Sequence, residues 1–94
     1  MKKQLQHWSE LIHICQQADK VGLLSPLLEL LLTPEEQTQM SLRVALIKAL
    51  LKNELTQRTI AEQLKISIAK ITRGSNALKS IDPTLAEFLK TELS

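Results

Sequence analysis

The chain is 94 residues long, 44% hydrophobic and carries a formal net charge of +2, enough for one domain with a modest core and too little for several. Two glycines, three prolines and no strand-like alternation of apolar and polar residues exclude a β-rich fold and point to an all-helical chain. A single cysteine, Cys15, excludes an internal disulfide; with no secretory leader and no apolar run long enough to span a bilayer, a soluble, cytoplasmic protein without a membrane partner is expected.

From about Lys3 to Lys20, Leu5, Trp8, Leu11, Ile12, Cys15 and Ala18 recur at helical spacing and predict an amphipathic helix. Trp8 reads as a core or interface anchor and Cys15 as a core residue. His7 and His13 have no Cys or carboxylate partner at a metal-ligand spacing and read as rim residues, so no metal site is expected. Gly22 suits a left-handed cap, and Ser25-Pro26 the start of a second helix with proline at its first position. Leu27 to Leu32 is nearly all leucine. Such a helix has to be enclosed, and with nineteen leucines in the chain the enclosure is expected to come from a second subunit.

Thr33-Pro34-Glu35-Glu36 has the form of a capping box and starts a third helix that runs to about Lys52. Met40, Val44, Ile47 and Leu51 form its apolar face, widened by Leu42, Leu46 and Leu50. Arg43 interrupts that neighbourhood, either as a snorkelling surface residue or as a ligand contact.

Thr56 to Lys79, TQRTIAEQLKISIAKITRGSNALK, has the pattern of two short helices joined by a tight turn, as in DNA-reading proteins. Thr56 can cap the first helix, with Ile60, Ala61 and Leu64 inward; Lys65-Ile66-Ser67 makes the turn, and Ser67 can cap the second helix from Ile68. Ile71, Gly74 or Ser75, and Leu78 then face inward, leaving Ala69, Lys70, Thr72, Arg73 and Lys79 outward or at the rim, where they can meet phosphates or base edges. Six basic residues between Lys52 and Lys79 stand against two acids, a local +4 that leaves −2 for the rest of the chain. A basic patch on a nearly neutral protein is the footprint of nucleic-acid binding; the competing reading is a helical hairpin with a charged exterior. Ile81-Asp82-Pro83 ends this pair, and Asp82 caps a last helix with Leu85, Phe88 and Leu89 on its apolar side.

Ile71-Thr72-Arg73-Gly74-Ser75-Asn76 resembles the bacterial tryptophan repressor family. Pro26-Leu27-Leu28, Leu32-Thr33-Pro34, Arg43-Val44, Leu50-Leu51, Gln57-Arg58 and Leu78-Lys79 stand in that family's order and spacing as well. The resemblance implies an all-α, six-helix intertwined homodimer, residues 1–94 as one domain, with a helix-turn-helix at about 57–79 that docks in the major groove. It also implies L-tryptophan as corepressor, with no other cofactor. Arg43 and Arg73 would flank the indole, Arg43 also meeting the carboxylate, because a planar guanidinium can both stack and pair. Leu30, Leu32 and Thr33 would offer backbone carbonyls to the amino group from the partner subunit, Ile47 would be an apolar wall, and Gly74 would leave room for the ring. For DNA, Gln57 and Arg58 would anchor phosphate or base, Ile68, Ala69, Lys70, Thr72 and Arg73 would lie along the groove, and Lys79 would hold the backbone.

Two departures qualify the resemblance. Ala77 replaces a serine whose hydroxyl would contact the ligand's amino group, removing a hydrogen bond worth roughly 0.5–1.5 kcal/mol. Lys65-Ile66-Ser67 replaces a glycine-rich turn, and Lys70 a threonine, so the operator sequence does not carry over. No nucleophile with a neighbouring base is present, and no enzyme is expected. The expectation is an L-tryptophan-dependent transcriptional repressor of tryptophan biosynthesis or salvage genes, binding a palindromic operator. A tryptophan-independent regulator of the same superfamily and a helical dimerisation module are the alternatives.

Overall fold

The computed structural model describes residues 2–93, with side chains from residue 5 onward. Six helices and no strand occur among them: α1 (Lys2–Lys20), α2 (Leu24–Leu31), α3 (Pro34–Lys52), α4 (Gln57–Leu64), α5 (Ile68–Lys79) and α6 (Pro83–Leu93). None is long and apolar enough to cross a membrane. The chain divides into two compact units, the first ending at Gln37 and the second beginning at Thr38.

In the first unit, α1 and α2 are in contact. Leu11, Cys15 and Ala18, spaced at i, i+4 and i+7, are the least exposed of α1's described side chains, with Leu24 and Leu27 their counterparts on α2. Gly22, at φ 73, turns the chain between the helices. The Leu23 N–H donates to the Ala18 carbonyl at 2.8 Å and the Gly22 N–H to the Asp19 carbonyl at 3.2 Å, a paired closure that satisfies the last carbonyls of α1.

α2 begins two residues earlier than Ser25-Pro26 suggested. Its N-cap is Leu23, without a side-chain cap, and Leu27 N–H closes the first turn on the Leu23 carbonyl at 3.0 Å. Pro26 therefore sits third in the helix, not first, still among the opening residues whose N–H groups have no intrahelical acceptor. The capping box at Thr33 is as expected: the Thr33 N–H donates to Glu36 Oε1 at 2.9 Å and the Glu36 N–H to Thr33 Oγ1 at 3.1 Å.

The second unit is built on Leu46 of α3, Ile60 of α4 and Ile71 of α5, with Ala49, Leu50, Ala61, Leu64 and Ile66 packed around them. Of the predicted stripe on α3, the widening residues Leu46 and Leu50 are the ones packed into this core. Leu46 is buried and Leu50 half-buried, whereas Met40 and Val44 are 48% and 50% exposed. α3 is apolar on more than one side, and only the side bearing Leu46 and Leu50 receives α5. Asp82 Oδ1 caps α6 by accepting the Thr84 N–H at 2.7 Å, but Leu85 and Phe88 remain exposed.

Candidate nucleic-acid interface

Two side-chain caps define the helix pair α4–α5. Thr56 Oγ1 accepts the Thr59 N–H at 3.1 Å, and Ser67 Oγ accepts the Lys70 N–H at 3.2 Å; each supplies an acceptor to a helix-opening N–H, worth about 1 kcal/mol. Between them Lys65 adopts a left-handed conformation, φ 56 and ψ 44, and Ile66 folds back on the core with its N–H on the Ala61 carbonyl at 3.2 Å. Ile60 and Ile71, 1% and 0% exposed, lock the two helices together. Ala61 and Leu64 are half-buried on the inner side of α4, and Gly74, Ser75 and Leu78 on that of α5, as their spacing predicts.

The opposite sides are open. Gln57, Arg58, Ile68, Ala69, Lys70, Thr72, Arg73 and Lys79 are all exposed. Lys79 Nζ lies 3.5 Å from Asn76 Oδ1, a residue to which sequence reasoning gave no role. Among the described residues none of Lys52, Arg58, Lys65, Lys70, Arg73 and Lys79 forms an ion pair; the salt bridge found is Lys90 with Glu87 at 4.0 Å on α6. The +4 of this segment is therefore not cancelled locally. Ammonium and guanidinium groups without ion pairs, on the helix pair, in its turn and at the end of α3, attract a polyanion, and the exposed Ile68 and Ala69 add apolar groups of the kind that read thymine methyls.

The residues expected to hold a ligand fall into both units. In the second, α5 lies close against α3 at Gly74: a Cβ there would stand 3.0 Å from Leu46 Cδ2 and 3.6 Å from Leu50 Cδ1. The space freed by the glycine is thus taken up by the leucines of α3. Arg43 is one turn before Leu46, exposed, with Nη1 3.8 Å from Met40 Sδ. Arg73, adjacent to Gly74, is exposed too; Ile47 is half-buried and Ala77 exposed. Leu46, which touches the Gly74 position, was missed as a candidate wall. Only its i+3 relation to Arg43 could have flagged it.

In the first unit, Leu30 is 81% exposed, Leu32 is the C-cap of α2, and Thr33 caps α3. The Leu32 carbonyl accepts from Gln37 Nε2 at 3.4 Å and the Thr33 carbonyl from the Gln37 N–H at 2.9 Å; a carbonyl oxygen has a second lone pair for another donor. These groups lie at the carbonyl end of α2, the negative end of a helix dipole.

A separate cleft of about 390 Å³ in the second unit has Leu51, Leu55 and Leu78 on its apolar side and Asn53, Gln57 and Lys79 on its polar side. Arg43, Arg73 and Ala77 do not line it. Among the described residues no group of His, Cys, Asp and Glu is placed to hold a metal ion, and His7 and His13 are both exposed.

A capped helix pair with a buried inner side and an unneutralised basic outer side defines a helix-turn-helix protein of the DNA-binding class. The chain belongs to the Trp repressor family: the model of the Trp repressor protein matches residues 6–93. It is thus a transcriptional regulator of that type and not an enzyme. It is 45% identical over 86 residues to a Trp operon repressor homolog of Chlamydia trachomatis, covering 92% of either chain. With that of Chlamydia caviae it shares 43% identity over 83 residues, 88% of this chain and 82% of the relative. With that of Actinobacillus succinogenes it shares 37% over 93 residues, 99% and 92% of the two chains.

Proposed function

We propose that the protein is a homodimeric repressor that takes L-tryptophan as corepressor and, so loaded, binds a palindromic operator controlling tryptophan biosynthesis or salvage genes. The observation that carries this reading is the meeting of α3 and α5 at Gly74, with Arg43 one turn away on α3 and Arg73 next to the contact on α5. A ligand held by both arginines would bear directly on the helix whose other side reads DNA. L-tryptophan suits them because its indole can stack on a guanidinium plane and its carboxylate can pair with one. The carbonyls of Leu30, Leu32 and Thr33, from the partner, would take the ammonium; with Ala77 in place of a hydroxyl, they would take it without further help.

Dimerisation is supported by how little one chain buries. Among the described residues only Ala18, Leu46, Ile60 and Ile71 are buried hydrophobics, while Trp8 is 61%, Val21 68%, Leu30 81% and Phe88 58% exposed. Apolar surface on that scale calls for a covering partner, and a second copy supplies the second of the two DNA-reading helices that a palindrome requires. The exposed leucines of α2, the α3 face with Met40 and Val44 and the apolar side of α6 are among the surfaces it would cover. Sedimentation at low micromolar concentration is expected to give a dimer with or without ligand; a stable monomer would remove this part of the reading.

Tryptophan dependence is tested by titrating a palindromic operator duplex with protein in the presence and absence of millimolar L-tryptophan. A ligand-induced gain of roughly 5–150-fold in DNA affinity is expected, the usual range of allosteric coupling, with a reciprocal gain in tryptophan affinity on adding DNA. Equal operator affinity in both titrations would make the protein a tryptophan-independent regulator.

A further inference from the structure

The turn between α4 and α5 uses a residue that its conformation does not favour. Lys65, at φ 56 and ψ 44, is left-handed, a region where a side chain's Cβ crowds the backbone and glycine is the unstrained choice. The geometry is required: the Lys65 N–H and the Ile66 N–H both return to the Ala61 carbonyl, and this closure brings Ile66 onto the core. Among the described residues the lysine has no partner for its charge to offset that cost. It is exposed, and among the described residues its ammonium has no ion pair or hydrogen bond. A strained residue whose charged group makes no internal polar contact is a pointer to an external one.

We propose that Lys65 is a phosphate contact, adding one ammonium per subunit to the DNA-binding surface. This rests on the reading of α4–α5 as the DNA-binding pair. Lys65 stands two residues before the cap of α5 and lies in sequence between exposed Arg58 on α4 and exposed Lys70 on α5, which puts its charge in the turn that joins the two helices. A lysine there acts as a point charge: it strengthens binding to any duplex and carries no sequence information.

The test uses the full-length protein and a mixed-sequence duplex, with affinity measured from 50 to 200 mM salt and thermal unfolding measured in parallel. Lys65→Gly is expected to raise the melting temperature, because it relieves the left-handed lysine, and yet to weaken DNA binding. The slope of log affinity against log salt becomes shallower by about 0.9 per subunit. The wild-type advantage accordingly shrinks roughly 3.5-fold per lysine over that range. Lys65→Asn, neutral and tolerant of the left-handed region, should show the same slope. If Arg58→Ala flattens the salt dependence and neither Lys65 variant does, the proposal is overturned while the DNA-reading surface stands. Slopes unchanged in all three variants would overturn both. A lower melting temperature for Lys65→Gly would remove the strain on which the inference is built.

Discussion

Arg43→Ala is expected to abolish the effect of tryptophan on operator affinity, reducing an enhancement of roughly 5–150-fold to none. Its guanidinium is exposed, and among the described residues its one polar contact is a weak one to Met40 Sδ. Removing it should therefore change stability by no more than about 0.5 kcal/mol, as for an ordinary surface substitution. Non-specific DNA binding without ligand should keep most of its salt dependence, since Arg43 lies outside the α4–α5 surface. Arg73→Ala is the informative companion: beside the α3–α5 contact and on the DNA-reading helix, it should lose ligand response and DNA affinity together. Operator titrations with and without L-tryptophan read both variants. If the enhancement survives Arg43→Ala, the arginine has no part in the ligand site.

Ile71→Ala is expected to cost about 2–5 kcal/mol, the range for removing a buried isoleucine side chain from a site that only partly collapses. Ile71 is fully buried between α4 and α5, in a cluster whose other buried members are Leu46 and Ile60. Against a total stability of roughly 5–15 kcal/mol the loss is large, and the melting temperature should fall by about 10 °C or more. Ile68→Ala, one turn earlier on the same helix and 49% exposed, should shift melting little and instead alter operator preference. Calorimetric unfolding distinguishes them. Equal destabilisation by the two substitutions would mean that α5 is not seated on Ile71.

These two isoleucines show what sequence patterning conveyed. Chemically they are the same: the i, i+3, i+7 run of Ile71, Gly74 and Leu78 placed Ile71 inside, but Ile68 stands at the same helical spacing and only the family resemblance set it on the DNA side. The caps were legible for a similar reason. Thr33 with Glu36, Thr56 with Thr59 and Ser67 with Lys70 are each three residues apart, so the hydrogen bonds that start α3, α4 and α5 lie within a window that local sequence determines. The basic outer side of the helix-turn-helix followed from the same periodicity combined with a count of charges.

What local pattern did not settle were the choices made between competing neighbours. Ser25 is the better capping residue, but Leu23 starts α2 because its N–H is already tied to Ala18 by the closure of α1, leaving its carbonyl to open the next turn. On α3 the sequence offers two apolar faces of similar strength. Tertiary structure selects the one bearing Leu46 and Leu50, because only there does a glycine, far along the chain on α5, let a second helix approach within contact distance. Neighbours one turn apart settled the six helices, the caps of α3 to α6 and the outward basic side. Which apolar face α3 buries within the chain, and that Leu46 fills the space at Gly74, was decided by packing between residues remote in sequence, where periodicity carries no information.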